Sequence, residues 1–558
     1  RSADAVRVVA RDGVPEPVRM RAMSPSPRAS ASTVPSGVPF WRSPLALALA
    51  LLVATLCAYR PALGAAYIWD DDWYLTANPY LTDLAGLARL WVPESRPQYY
   101  PAVFTTFWIE HHFWGLEPFG YHLVNVLLHA LNAILVWRIA SALRIPGAWW
   151  IGALFALHPV HVESVAWVTE RKNVLSACFY LLAFLAYLRF DPFHDPDAPE
   201  LAPRARWRWY AVALACFVVA LLAKTVTCSL PAVLVLALLW RRAPLTRRRL
   251  AALVPFFVVG LALALHTAHL ERNHVGAEGA EFAFSALERL WIASKALLFY
   301  PQKLLVPYPL VFIYPRWTLP AGDALAYWPI AVVALVAAAA VFAFSTGRRG
   351  PALALAFFAG TLFPALGFFN VYPMRYSFVA DHFQYLASLG VLALVVAAFA
   401  THVPRAVANG IGTCALLVFG VLAWRACAKY ANEETLWRTT AEQNPGAWMV
   451  HTNLAKLLSA RGDNEQALAC LERALATQPS ASATEQIQLD RALTLGKLRR
   501  FDEALALFEA LQATRGGMES RIALTLEYLK RDDEAEQYYR RALATESADA
   551  ARVPFGLH

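Results

Sequence analysis

Long apolar runs, broken by short Arg-rich stretches, organise the first three quarters of the chain. Runs of spanning length or a little less fall near 44–63, 121–142, 147–161, 173–189, 208–223, 228–240, 250–268, 326–345, 351–368, 383–401 and 405–424, and they predict about eleven membrane-crossing helices. The polar stretches test that set. The N-terminal Arg residues, Arg138 with Arg144, the 189–208 loop with Arg204, Arg206 and Arg208, the 241–249 loop, Arg348 with Arg349, and Arg405 all fall on one side, which the cytoplasmic bias of Lys and Arg makes the cytoplasm. The opposite side receives the 64–120 loop, the turn at 158–172, Lys224, the 269–325 and 369–382 loops and everything after Trp424. The segment 287–300 is apolar too, but counting it as a span would invert the charge pattern behind it. It therefore reads as a re-entrant or interface-lying helix.

Two end segments differ from this texture. Residues 1–42 are rich in Arg, Pro and Ser with no Met at position 1, and are expected to be a disordered cytoplasmic lead or sequence upstream of the true start. The run from Pro44 to Leu63 has the character of a signal peptide, but its length and the lack of an A-x-A site favour an uncleaved first span. From about Asn432 the pattern becomes that of soluble amphipathic helices with internal repetition. Residues 448–481 place Asn453, Leu454, Ala455, Leu458, Gly462, Ala467, Leu471, Ala474 and Pro479 where a tetratricopeptide repeat needs small, apolar and turn residues. Two weaker units follow, on Ala492, Ala504 and Phe508, then on Ala523, Ala535, Tyr539 and Ala542. The expected organisation is an N-terminal segment 1–42, a membrane domain 43–430 and an extracytoplasmic repeat domain 431–558. Such a short solenoid offers a groove for an extended peptide or a partner helix.

Composition agrees with the pattern. The chain is 58% hydrophobic and 16% charged, with a mean hydropathy of +0.40, which excludes an ordinary soluble globular protein. Nineteen Trp and twenty-one Tyr suit long water–lipid boundaries. The net charge of +9 is spread over short loops instead of forming one stripe, so no nucleic-acid partner is expected. The seven cysteines form no C-x-x-C pair and argue neither a disulfide framework nor a zinc site.

Four groups of ionisable residues fall on the outer side. Asp70, Asp71 and Asp72 are adjacent, and their repulsion raises the pKa of at least one, which suits a general base; the same carboxylates also suit a divalent cation, or an acidic helix start that merely ends a span. The hairpin 155–173 packs His158, His161, Glu163, Glu170, Arg171 and Lys172 between apolar runs, where charge is costly unless paired or functional. His158, His161 and Glu163 do not have the spacing of a helix-borne zinc site, and no metal is assigned. The third group is Arg375, Asp381 and His382, and Lys224 is the fourth. Arg171, Lys172, Lys224, Arg375 and His382 can together neutralise a phosphate at the membrane surface, or each can snorkel towards headgroups.

These segments resemble a known family. I-W-D-D-D-W-Y-L-T-A-N (68–78), Y-H-L-V-N-V-L-L-H-A (121–130), H-P-V-H-V-E-S-V-A-W-V-T-E-R-K-N-V-L-S (158–176) and D-H-F-Q-Y-L-A-S-L-G (381–390), followed by tetratricopeptide repeats, resemble the transmembrane-and-tetratricopeptide-repeat (TMTC) O-mannosyltransferases and more closely their bacterial relatives. The resemblance covers roughly residues 44–545. It implies an all-α, GT-C-like glycosyltransferase bundle in a bacterial inner membrane, with a polyprenyl- or dolichyl-phosphate sugar as donor and mannose or a similar hexose as the sugar. It also implies that Asp70 and Asp71 are the catalytic pair, one of them activating the acceptor hydroxyl. Glu163 matches an acidic position and Arg171 a basic one, and the implied donor-phosphate or substrate-binding set is Glu163, Arg171, Lys172, Lys224, Arg375, Asp381, His382, His158 and His161. Asp381-His382 departs from the family, which carries Glu-Arg in its animal members.

Three functions are compatible with this layout. The first is an inverting transferase using a lipid-phosphate donor, with the repeats presenting a protein acceptor, or with a glycan or lipid as acceptor. The second is a non-catalytic envelope scaffold, in which Asp70→Asn and Asp71→Asn would be silent. The third is a transporter of lipid-linked sugar, which would keep its ionisable residues near the midplane and show related halves; here they sit at one rim and no symmetry is evident.

Overall fold

The computed structural model describes residues 43–93, 98–193, 201–273, 277–320, 322 and 324–552. The expectation for residues 1–42 lies outside the described residues. Among those described, every regular element is helical. In chain order the membrane part comprises α1 Pro44–Ala58, α2 Leu84–Leu90, α3 Pro101–Trp114, α4 Pro118–Ala142, α5 Ala148–Leu157, α6 Val162–Ala166, α7 Arg171–Phe190, α8 Pro203–Ala223, α9 Leu230–Trp240, α10 Arg247–Asn273, α11 Ala286–Leu305, α12 Trp328–Ser345, α13 Arg349–Leu362, α14 Ser388–His402 and α15 Arg405–Cys427. Behind it stand α16 Glu433–Gln443, α17 Trp448–Ala460, α18 Asn464–Ala476, α19 Ala481–Lys497, α20 Phe501–Thr514, α21 Glu519–Tyr528 and α22 Asp532–Arg552.

Each of the eleven apolar runs folds as helix. Six helical stretches, Pro118–Ala142, Val168–Phe190, Pro203–Ala223, Arg247–Leu270, Ala324–Ser345 and Arg405–Tyr430, are long and apolar enough to cross a membrane, and the other runs form shorter helices. The chain is an integral membrane protein. The 287–300 segment lies in α11, whose start is fixed by a capping box: Ser285 Oγ accepts the Glu288 N–H and Glu288 accepts the Ser285 N–H. Close helix contact depends on two glycines. A Cβ at Gly152 would lie 2.7 Å from the Ala133 carbonyl of α4, and one at Gly390 2.6 Å from the Ala354 carbonyl of α13.

The repeat region forms three helical hairpins, α17–α18, α19–α20 and α21–α22. The core does not break at the start of that region. Trp437 of α16, together with Met449 and Val450 of α17, is buried in the same apolar cluster as Ile68, Trp167 and Phe312. The first soluble helices are thus packed onto one end of the bundle, against the acidic motif.

Candidate active site

The acidic motif opens on a strained residue. Trp69 holds a left-handed backbone with φ 49°, which costs a non-glycine residue roughly 1–2 kcal/mol. Its ring is clamped by stacking on Trp167 at 5.3 Å and by edge contacts to Phe312 at 5.5 Å and Trp437 at 5.8 Å. Strain held this firmly is characteristic of functional segments. The turn sends successive carboxylates in different directions.

Asp71 points inward and is fully buried; its Oδ2 accepts the Ile68 N–H and its Oδ1 the Thr169 N–H, each at 2.9 Å. Asp70 is half-buried and accepts the Thr169 hydroxyl at 2.8 Å. Asp72 is exposed and accepts the Thr76 hydroxyl at 2.9 Å. Burial raises the pKa of Asp70, and the Lys172 ammonium pulls it back. Burial, and then the charge of Asp70, hold the Asp71 carboxyl well above its ordinary range, with the two amide bonds acting in the opposite direction. Asp70 is therefore the more exposed member of the pair. Asp71 ties the motif to the 158–172 hairpin.

The other charged groups gather beside it around Glu170. One oxygen of Glu170 pairs with Lys172 Nζ at 3.0 Å and the other with Lys224 Nζ at 3.2 Å, while Asn173 Nδ2 donates to the latter oxygen at 2.6 Å. Lys224 also donates to Asn173 Oδ1 at 2.8 Å, and Asn173 Nδ2 lies 3.1 Å from the His382 carbonyl. Burial lowers the pKa of Lys224, opposed by Glu170. The Lys172 ammonium lies over the rings of Tyr74, Tyr100 and Trp167 at 5.0, 5.6 and 5.8 Å, an aromatic enclosure that favours a cation. Two ammonium groups on one carboxylate leave a surplus positive charge next to Asp70.

Next along the chain of contacts, Glu163 Oε1 lies 2.8 Å from His382 Nδ1 and Glu163 Oε2 accepts the His382 N–H at 3.1 Å. Asp381 is buried and accepts the Tyr314 hydroxyl at 3.0 Å; burial and then Glu163 push its pKa well above the usual carboxylate range. A cavity of about 20 Å³, room for roughly one water, lies between Glu163, Asp381, Lys429, Tyr430, Thr440 and Gln443.

Four residues of the expected binding set do other work. Arg171 is fully buried, with its guanidinium paired to Glu110 and hydrogen-bonded to Asn125 and to the Tyr121 carbonyl. Its donors are thereby spent inside the bundle, and it braces α3, α4 and α7. His158 contacts the Leu304 carbonyl at 2.9 Å and accepts the Val160 N–H; His161 contacts the Phe155 carbonyl at 2.8 Å and Ser388 Oγ at 3.0 Å, and both rings are fully buried. Arg375 pairs with Glu281 at 3.2 Å and lies over Tyr372, Tyr376 and Trp448 of α17, so it ties the bundle to the repeats.

Sequence reasoning named Glu170 among the hairpin charges without giving it a role in the site, and it did not single out Glu110. Glu170 stands directly before Arg171 and Lys172 at a helix start, and an acid set against two bases between apolar runs was its signal. Glu110 sits in α3 between aromatic residues, within a stretch read as loop; a lone carboxylate in such apolar surroundings marks a buried partner.

Tetratricopeptide-repeat families match residues 450–481 and 520–549, which gives the C-terminal region a capacity for protein interaction. Protein O-mannosyl-transferase tmtc2 of Xenopus laevis is 34% identical over 147 residues, covering 24% of this chain and 18% of that protein. Protein O-mannosyl-transferase Tmtc1 of Drosophila melanogaster is 36% identical over 144 residues, covering 24% of this chain and 17% of that protein. The matched part spans less than a fifth of these relatives' own length. The crystal structure of ArnT from Cupriavidus metallidurans, bound to undecaprenyl phosphate, aligns over 83% of this chain and 79% of that one with 15% identity and a TM-score of 0.35, too low for an argument about fold. Over the matched quarter of the chain, and in carrying tetratricopeptide repeats behind it, this protein is similar to the TMTC protein O-mannosyl-transferases.

Proposed function

We propose that the chain is a membrane glycosyltransferase that moves a sugar, mannose or a similar hexose, from a polyprenyl-phosphate donor to a Ser or Thr hydroxyl of an extracytoplasmic protein. The observation that carries this reading is the half-buried Asp70 carboxylate beside Lys172 and Lys224, in a chain similar to protein O-mannosyl-transferases. Asp70 accepts the hydroxyl proton as the oxygen attacks the anomeric carbon. The bond from that carbon to the phosphate oxygen breaks, and the lipid phosphate leaves with the electron pair. Lys172 and Lys224, released in part from Glu170, offset the charge that develops on it. Attack opposite the leaving group inverts the anomeric centre. The proposed setting is a bacterial inner membrane, with the N-terminus in the cytoplasm and the repeats in the periplasm.

Two measurements test this reading in reconstituted membranes supplied with a polyprenyl-phosphate mannose. Lys224→Met is expected to raise the donor KM by about tenfold or more, the worth of one lost charge-assisted contact; an unchanged KM would remove Lys224 from the donor site. The second is the acid limb of the rate. Asp70 acts deprotonated and its pKa is raised by burial, so the rate falls with acidification through a pKa above the ordinary carboxylate value. Lys172 lowers that pKa, so Lys172→Met moves the limb to higher pH. A limb that stays in place in this variant would mean that another group is the base.

A further inference from the structure

A second cavity lies inside the bundle, away from Asp70. It has a volume of about 360 Å³ and is lined by α4, α5, α7, α9, α13 and α14. On α7 the lining residue nearest in sequence to Lys172 is Tyr180, eight residues on, about 12 Å along the helix. The other end of the cavity reaches Leu143, Trp240, Gly350 and His402, at the turns that carry the basic loops. The Trp240 indole closes one side of that mouth. Its N–H donates to the Leu143 carbonyl at 2.8 Å, and a Cβ on Gly350 would lie 3.4 Å from its ring.

The lining is apolar. Only Tyr180, Trp240, Thr401 and His402 bring polar side-chain atoms to it, and the Thr401 hydroxyl is spent on the Ala397 carbonyl at 2.7 Å. Space is left because small residues face it, among them Ala140 of α4, Ala237 of α9, Ala354 of α13, and Ala393 and Ala397 of α14. A cavity of this kind holds no water, and left empty its walls forfeit dispersion contacts. Along α14 it runs from Gly390 to His402, about 18 Å of helix, close to the roughly 15 Å of hydrocarbon in one leaflet. Spread over that length, its volume gives a channel narrower than a helix with its side chains, about 10–12 Å across. It therefore suits a flexible hydrocarbon chain and not the helix of a partner.

The charge at the mouth selects the headgroup. Arg242 and Arg348 are exposed and stand two residues from Trp240 and Gly350. Arg349, beside Gly350, donates to the Leu239 carbonyl at 3.3 Å. Among the described residues of the loops at this end, 143–147, 191–208, 241–249, 346–350 and 402–405, Asp191 is the one acid, and Arg249 engages both of its oxygens at 2.6 and 2.9 Å. An anionic headgroup there meets positive charge with no competing carboxylate.

We propose that this cavity takes one acyl chain of an anionic phospholipid from the leaflet at the arginine-rich end, with the lipid phosphate among Arg242, Arg348 and Arg349. The site is separate from that of the sugar donor. It stands on the cavity and the charge at its mouth and does not depend on the chemistry at Asp70.

The test uses the full chain in phosphatidylcholine nanodiscs doped with phosphatidylglycerol that carries a diazirine in one acyl chain, with the photo-crosslinks mapped by peptide mass spectrometry. The wild type is expected to be labelled around Ala354, Ala393 and Ala397 above the level of the outward-facing α12 and α15, and unlabelled phosphatidylglycerol should suppress that labelling about tenfold more effectively than added phosphatidylcholine of the same chains. Ala393→Leu/Ala397→Leu fills the channel, so its labelling falls by about tenfold or more while Tm is unchanged or higher. Arg242→Gln/Arg348→Gln changes only exposed side chains and decides the question even where the filled variant does not fold: it is expected to keep the labelling and lose the preference for phosphatidylglycerol. Labelling no stronger than on α12 and α15, equal suppression by the two lipids in the wild type, or an unchanged preference in the arginine variant overturns the proposal. Suppression by a polyprenyl phosphate stronger than by phosphatidylglycerol overturns it in favour of the donor's tail.

Discussion

Asp70→Asn is expected to lower the transfer rate by about 10²- to 10⁴-fold, the usual worth of a positioned general base, in a protein that remains folded. The side chain keeps its shape and can still accept the Thr169 hydroxyl, and the variant no longer places a half-buried carboxylate against the cost of burial. Asp71→Asn should behave differently. Both Asp71 oxygens accept backbone N–H groups, and an amide can offer only one acceptor oxygen, so an N–H of Ile68 or Thr169 would be left facing a donor. The expected cost is about 1–3 kcal/mol of stability, with activity falling because the motif loosens. Glycan profiles and thermal unfolding of the two variants, at equal expression, separate these outcomes. A fully active Asp70→Asn protein would end the assignment of Asp70 as base.

Arg171→Met is expected to destabilise the protein by roughly 3–5 kcal/mol, because it leaves the Glu110 carboxylate, 5% exposed, without its partner inside the bundle. The double variant Glu110→Gln/Arg171→Met should recover much of that loss, since no uncompensated charge remains. Thermal unfolding in detergent reads both. A phosphate-binding Arg171 would give the reverse result: near-normal stability in the single variant, a raised donor KM, and no rescue by the change at Glu110.

That contrast shows where sequence reading reached its limit. Arg171 and Lys172 are neighbours in the chain with the same formal charge, and the argument for a phosphate-neutralising group treats them alike. The helix turns them in different directions, Arg171 to Glu110 and Asn125 in the interior and Lys172 to Glu170 and the aromatic enclosure. His158 and His161 likewise look like ligands or phosphate contacts in a linear motif, yet both rings close hydrogen bonds to backbone carbonyls within the core. Pattern and spacing show which residues are costly to bury. They do not show which partner satisfies each one.

The sequence by itself determined the helical membrane architecture, because the length of an apolar run is a local property. It also determined the gathering of the acidic, hairpin and Asp381-His382 motifs at one end, because alternating crossings and loop charge leave that arrangement alone. Only the tertiary structure decided that Asp70 is more exposed than Asp71, through the turn at Trp69 clamped by Trp167, Phe312 and Trp437. Those rings lie up to several hundred residues apart in the chain. The same holds for Glu170 as the shared partner of Lys172 and Lys224 and for Glu110 as the partner of Arg171. Each depends on side chains from separate helices converging on one point, and no local pattern encodes that convergence.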